Sequence, residues 1–303
     1  MKAVLLNAGR PAGCKPLTVS RDLAALRVAN MPLGKLQAQR LVEAGFQIES
    51  TPEKGEPYLS QRGDSWVSSA SLGRLVALGA PAELVDGSGT VLAWVTFPEA
   101  GVEPVRVPAE GEDLLIRFPW DLLRLNEVLL GRMSESDIQG SVSPAAHVEG
   151  HLRVGRGTRI LPGVYVEGNV VIGENSKIGP NCYLRGCTSI GDHCRIGNAV
   201  EVKNSIIESG SSIGHLSYCG DSLVGENVTL GAGTITANLR HDGANHRSMV
   251  EGELIDTGRR KFGAVIGDGV HTGIHTSIYP GRKLWPGTWT RPGDIVRFDL
   301  VSA

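Results

Sequence analysis

The sequence predicts a small α/β amino-terminal domain over residues 1–135 followed by a parallel β-helix over residues 136–303, on three observations. From Val142, apolar residues recur at every sixth position through Val148, Val154, Ile160, Val166, Ile172, Ile178, Leu184, Ile190, Ile196 and Val202. The period returns at Ile266, Thr272, Ile278, Leu284 and Thr290, carrying the helix to about residue 293. The first 135 residues have no such period. A hexapeptide repeat makes one short flat side per six residues and one coil per three sides, and stacked coils bury a core that no single repeat can bury alone.

The amino-terminal elements follow in order. MKAVLLNAG reads as a strand ending in a glycine turn, and PLGKLQAQRLVEAGF as an amphipathic helix ending at Gly45. SASLGRLVALG predicts a second helix, AELVDGSGTVLAWV a hairpin about its DGSG turn, and PWDLLRLNEVLLGRM a helix that leads into the β-helix.

Within the β-helix, the residue after each apolar position separates into three columns. Two are rich in glycine: Gly155, Gly173, Gly191, and Leu161, Gly179, Gly197. Glycine reaches corner backbone angles that cost other residues energy. The third reads Glu149, Glu167, Arg185, Lys203, so one edge gives up its corner glycines, which points to a site there. With coils about 4.8 Å apart, Arg185 and Lys203 are adjacent like charges, explained by a bound phosphate between them or by a solvated edge cushioned by Glu201. The period then slips through Ile207, Ile213, Cys219, Val224 and Leu230, which predicts a coil bulged around GHLSYCG. Residues 238–263 leave the repeat as a long polar loop, and loops of that length in compact domains are usually functional. His215, Tyr218 and Asn238 flank these irregularities; histidine takes a proton near neutral pH, and Tyr and Asn position polar substrates.

Bulk properties narrow the classes. A formal net charge of -2 gives no electrostatic reason to expect nucleic acid or a membrane surface as partner. Five cysteines with no CxxC among them signal neither a disulfide framework nor a zinc site, and a reducing cytoplasm is expected. The opening apolar run is too short for a signal peptide, and no stretch approaches the ~20 residues of a membrane span. His271 with His275 and His147 with His151 are read as non-ligands, so no metal is expected. The cations of TGRRKFG, Arg259, Arg260 and Lys261, fit either a polyphosphate grip or a solvated loop.

Residues 181–303, through NCYLRGCTSIGDHCRIGNAVEVKNSII, GHLSYCGDSLVGENVTLGAGTITANLR and DTGRRKFGAVIGDGVHTGIHTSIYPG, resemble the acetyltransferase domain of bifunctional sugar-1-phosphate nucleotidyltransferase and amino-sugar-1-phosphate N-acetyltransferase enzymes, the archaeal type most of all. The resemblance implies a left-handed β-helix, a homotrimer with sites between neighbouring β-helices, and acetyl-CoA as co-substrate. It implies Arg185 and Lys203 as ligands of the sugar phosphate, His215 as general base, Tyr218 on the substrate phosphate, and Asn238, the asparagine of TITxN, as a catalytic residue beside His215. For acetyl-CoA it points to Thr229, Arg247, Arg259, Arg260 and Lys261. Two positions depart from relatives: Thr229 in VTLGAG, and Ala244 where archaeal relatives carry lysine, leaving Arg247 as the nearest cation.

The chemistry implied is acetyl-CoA-dependent N-acetylation of an amino-sugar 1-phosphate, glucosamine 1-phosphate first among them. A base removes a proton from the ammonium so that nitrogen can attack the thioester, and Cys219 is not needed as a nucleophile. The amino-terminal part resembles the same family's nucleotidyltransferase domain in reduced form. LAAGxGTRLxPLT followed by PK becomes LNAGRPAGCKPLT followed by DL: Pro11 replaces a phosphate-loop glycine, Gly13 the catalytic arginine and Leu23 the lysine. GDSWVS resembles a metal-binding aspartate segment, but Asp64 alone makes an incomplete site. Nucleotidyl transfer is therefore expected to be lost, since it depends on those charges. The alternatives are a non-catalytic trimeric scaffold or regulatory partner of sugar-nucleotide synthesis and, third, a residual nucleotidyltransferase.

Overall fold

The computed structural model describes residues 1–51, 55–98 and 101–301. It divides into two compact units. The first comprises Met1–Pro11, Arg21–Leu26 and Met31–Asp121; the second comprises Ala12–Ser20, Arg27–Asn30 and the chain from Leu122 onward.

The first unit is a six-stranded mixed sheet in the order 47–48, 2–5, 58–61, 91–96, 82–85, 105–108. Helix α1 (Leu33–Glu43) buries Leu33, Gln37 and Leu41, one every four residues, and the chain leaves it through Gly45 at φ +87°. Helix α2 (Ser69–Ala77) starts at Ser68, whose hydroxyl accepts from the Ser71 amide at 3.1 Å. The expected hairpin pairs Ala82–Val85 with Val91–Thr96, its turn fixed by the Asp86 carboxylate accepting from the Ser88 and Thr90 amides. Helix α3 (Pro119–Gly131) starts at the end of this unit and from Leu122 belongs to the second.

The second unit is the expected parallel β-helix. Three apolar columns point inward, and each is in register from coil to coil: Val166, Leu184, Val202 and Cys219; Ile172, Ile190, Ile207 and Val224; Ile160, Ile178, Ile196 and Ile213. All belong to one buried core. The coils run beyond the visible period at both ends and within residues 136–303, because Asp137–Ile138 pairs with Arg153–Val154 and Leu300 bridges Leu284.

Two expectations about its corners are corrected. Gly155, Gly173, Gly191 and Gly197 do not have left-handed angles; a Cβ on any of them would lie 2.9 Å or less from an atom of the next coil, so close approach demands the glycine. On the third edge the corner glycines are present one residue later, as Gly150, Gly168 and Gly186 at φ +119°, +91° and +69°. There the strands His147–Val154 and Tyr165–Ile172 run round the corner without a break.

The slip in the period is not a bulge around GHLSYCG. Tyr218, Cys219 and Gly220 stay in register with Glu201, Val202 and Lys203. The missing residue is at the glycine corner: Arg185 and Ser189 are separated by three residues, while their partners Lys203 and Ile206 are separated by two. In the shortened corners the left-handed position passes to Asn204 (φ +46°) and then Asp221 (φ +49°), two residue types that tolerate it. The 238–263 excursion leaves from this same edge and contains an antiparallel hairpin, Arg247–Val250 with Glu253–Asp256. Among the described residues, no helix is long and apolar enough to cross a membrane.

Candidate functional site

The glycine corner and the face beside it carry the candidate residues. Tyr183 and Arg185, then Glu201 and Lys203, then Tyr218 point outward on successive coils, while Leu184, Val202 and Cys219 point in. Period two in the strand thus puts the cations and the phenol on one surface. The column Glu149, Glu167, Arg185, Lys203 is in register throughout.

Each cation has its own carboxylate. Arg185 donates to Glu201 through Nε at 2.7 Å and through its terminal nitrogen at 2.6 Å, and its guanidinium lies 5.2 Å from the Tyr183 ring centre. Lys203 Nζ donates to Asp221 Oδ2 at 2.8 Å. The repulsion between them is therefore offset without a bound anion, by Glu201 as expected and by Asp221, which the sequence reading missed.

Asp221 is the hub of the corner. Only 2% exposed, it also accepts from Asn204 Nδ2 at 3.0 Å and Asn238 Nδ2 at 2.6 Å. The second N–H of Asn238 goes to the Tyr218 hydroxyl at 2.9 Å, leaving the phenolic hydrogen free to be donated outward. Burial, and next the charge of Asp221, push the Tyr218 phenol up to about 12, so it is neutral at physiological pH. A Cβ at position 220 would lie 2.3 Å from the Tyr218 hydroxyl, so Gly220 makes room for the ring.

His215 occupies the opposite end of the same side, at the corner before Tyr218. It is exposed, and among the described residues its ring has no hydrogen-bond partner. Leu216 beside it is 60% exposed and left-handed at φ +62°, an uncommon angle for a large side chain. Lys203, Tyr218 and Asn238 are thus joined through Asp221 and shared hydrogen bonds at one edge, Arg185 stands in register beside Lys203 on its own carboxylate, and His215 is on the same side but outside that network. Cys219 is fully buried, and burial pushes its thiol up to about 12.

A cavity of about 680 Å³ opens beside the excursion, lined by residues that include Arg240, His246, Arg247, Tyr279, Arg282 and Arg297. Arg240 is paired with Asp242, and Arg282 lies 4.0 Å from Asp299. Arg247 and Arg297 have no ion pair among the described residues. Of the residues the resemblance points to for acetyl-CoA, Arg247 lines this cavity. Thr229 is on the side whose strands stack as Arg195, Ser212 and Thr229, away from Tyr218. The three cations of TGRRKFG do not act together: Arg259 is ion-paired with Glu127 of α3, while Arg260 and Lys261 are exposed.

Sequence reasoning missed Asn204, Asp221, His246, Arg282 and Arg297. The first two had a signal, the five-residue steps from Val202 to Ile207 and from Cys219 to Val224. His246 had none; it is buried, and its Nε2 lies 2.9 Å from the Asn238 carbonyl oxygen. Burial holds its ring below the usual histidine range. Among the described residues, no group of three or more His, Cys, Asp or Glu is placed to hold a metal ion.

Residues 166–280 match the family model described as the GMPPB C-terminal domain. A bifunctional sugar-1-phosphate nucleotidylyltransferase/acetyltransferase of Sulfurisphaera tokodaii is 42% identical over 191 residues, covering 63% of this chain and 48% of that protein. The bifunctional protein GlmU of Methanococcus aeolicus is 43% identical over 182 residues, 60% of this chain and 44% of that one. The GlmU protein of Methanococcus maripaludis is 53% identical over 169 residues, 56% and 41%. The chain spans about half the length of the curated relatives it matches. The resemblance read from the sequence is thus to proteins named bifunctional, one of which carries both activities in its name.

Proposed function

We propose that the β-helix transfers an acetyl group from acetyl-CoA to the amine of an amino-sugar 1-phosphate, glucosamine 1-phosphate in the first instance. The observation that carries this reading is the placement of His215 on the same side of the coil as the Arg185, Lys203, Tyr218 and Asn238 edge. His215 and Tyr218 are three positions apart with the chain turning at Leu216 between them, so their backbones lie within the roughly 10 Å that three extended residues can span, a distance that one sugar ring with its phosphate can bridge. Support also comes from the acetyltransferase and GlmU names of relatives at 42% and 43% identity.

The phosphate docks on Arg185 and Lys203, and Tyr218 donates its hydroxyl hydrogen to a phosphate oxygen. His215 takes a proton from the substrate ammonium, and the freed nitrogen pair attacks the thioester carbonyl carbon. The carbon–sulfur bond breaks, the nitrogen sheds its second proton, and CoA leaves as the thiol. The step needs no enzyme nucleophile, which fits the buried Cys219. The phosphates of acetyl-CoA are assigned to the unpaired cations Arg247 and Arg297 of the cavity. A homotrimer in which neighbouring β-helices complete the site is part of the proposal.

The first unit is proposed to carry no nucleotidyl transfer. Leu23 is buried where the resembling family has its lysine, and Asp64 is held by the Arg62 guanidinium at 2.8 and 2.7 Å. Free thiol released from acetyl-CoA, dependent on glucosamine 1-phosphate, tests the main reading. No release above blank with this or any other amino-sugar phosphate sinks it in favour of a scaffold. Pyrophosphate released from UTP or dTTP with a sugar phosphate overturns the second statement.

A further inference from the structure

Six residues form a closed ring of contacts around the candidate site. Glu127 Oε1 accepts from Asn204 Nδ2 at 2.7 Å, Asn204 Nδ2 donates also to Asp221 Oδ1, and Asp221 Oδ2 accepts from Asn238 Nδ2. From Asn238 the ring continues to the His246 imidazole at its carbonyl oxygen, and the His246 amide donates to the Arg259 carbonyl at 2.9 Å. The Arg259 guanidinium returns to Glu127, bonding both its carboxylate oxygens.

We infer that Glu127 is a positioning residue for acetyl transfer: one carboxylate on α3, outside the repeat, fixes Asn238 from two directions. This rests on the reading under Proposed function. Along one route Glu127 orients the Asn204 amide, whose second N–H holds Asp221, the acceptor shared by Lys203 and Asn238. Both N–H groups of Asn204 are committed to carboxylates, so its orientation has no equivalent alternative. Along the other route Glu127 clamps the returning limb of the 238–263 excursion through Arg259, whose carbonyl accepts from the His246 amide on the outgoing limb, and the His246 imidazole meets the Asn238 carbonyl. A loop of this length has many ways to close, and a charge-assisted, doubly bonded Arg–carboxylate pair selects one. Arg259 is thereby assigned to the excursion's geometry and withdrawn from the cations proposed for acetyl-CoA.

The test uses the full chain with Glu127→Gln, Arg259→Ala and the double variant. It reads steady-state kinetics for both substrates, thermal unfolding, and amide hydrogen exchange over residues 238–263. Misplacing a substrate-contacting group predicts a fall of about tenfold in kcat for each single variant, with the acetyl-CoA KM unchanged. Because Arg259 acts only through Glu127, the double variant falls no further than Glu127→Gln. Exchange over the excursion speeds up in all three, and the midpoint of solenoid unfolding stays near that of the wild type. Arg259→Lys, which keeps the charge, restores part of the loss. Wild-type kcat in Glu127→Gln, multiplicative losses in the double variant, or a raised acetyl-CoA KM in Arg259→Ala overturns the inference. If the wild type transfers no acetyl group, the functional reading fails by itself; exchange then decides the clamp, faster exchange supporting it and unchanged exchange overturning it. Should Glu127→Gln not fold, Arg259→Ala tests the excursion route by itself, a fall in kcat with faster exchange supporting the inference and wild-type kcat overturning it.

Discussion

Lys203 Nζ lies 2.8 Å from Asp221 Oδ2, and the carboxylate it meets is 2% exposed and also holds Asn204 and Asn238. One residue therefore neutralises a proposed substrate-binding cation and orients a proposed substrate-contacting amide. Asp221→Asn leaves Lys203, itself largely buried, without its counter-charge. Breaking a buried pair by removing one partner costs about 3–5 kcal/mol, so denaturant unfolding should show a loss near that size. Lys203→Met/Asp221→Asn, which removes both charges, should recover most of the stability and none of the activity. A single variant as stable as the wild type would contradict this account of the corner.

Among the described residues His215 has no hydrogen-bond partner, so its removal breaks none. His215→Ala should fold normally and lose about 10²- to 10⁴-fold in kcat, the usual worth of a general base, while the KM for the sugar phosphate changes little. Steady-state kinetics check this; full retained activity removes His215 as the base.

The cations of the cavity predict a different split. Arg247 and Arg297 are exposed, so each contact is worth about 1 kcal/mol and weakens with salt. Arg247→Ala and Arg297→Ala should each raise the acetyl-CoA KM by about fivefold at low ionic strength, less at high, and leave the sugar-phosphate KM unchanged. A rise confined to the sugar phosphate would move the sugar site into this cavity.

Lys283 is 2% exposed, and burial lowers its amine from 10.5 to about 8, against the opposing pull of Asp299 and Cys14 and with Arg282 adding to the lowering. Below about pH 8 the amine is protonated in both the folded and the unfolded chain. Between about 8 and 10.5 the unfolded chain binds the proton more strongly, so stability rises with pH across that window, by at most about 3 kcal/mol. Urea unfolding at several pH values should show the wild type gaining on Lys283→Met from pH 8 upward. A difference between the two that does not change with pH would contradict this assignment.

How far the sequence reached differs from feature to feature. The core was legible because its columns are one residue in six, and Val166, Leu184 and Val202 fall where the period puts them. The charged column was legible for the same reason. The corner itself was misplaced by one residue, because the strands Tyr165–Ile172 and His147–Val154 continue through it and put the turn at Gly168 and Gly150. The slip was visible as a missing residue, but a period cannot say on which side of the coil the residue is lost. Asp221 looked like part of the GHLSYCGD run until its burial showed it meeting three donors. Glu127 was beyond reach: it meets Arg259 across 132 residues of chain, and no repeat or motif joins the two.

The central claim is that an amine is acetylated at this face, and the mass of the sugar product tests it most directly. The protein is incubated with acetyl-CoA and either glucosamine 1-phosphate or glucose 1-phosphate, which lacks the amine, and the sugar phosphates are weighed by mass spectrometry. The account predicts the gain of one acetyl group on nitrogen for glucosamine 1-phosphate and none for glucose 1-phosphate. Unchanged glucosamine 1-phosphate, or CoA released without an acetylated sugar, would contradict it.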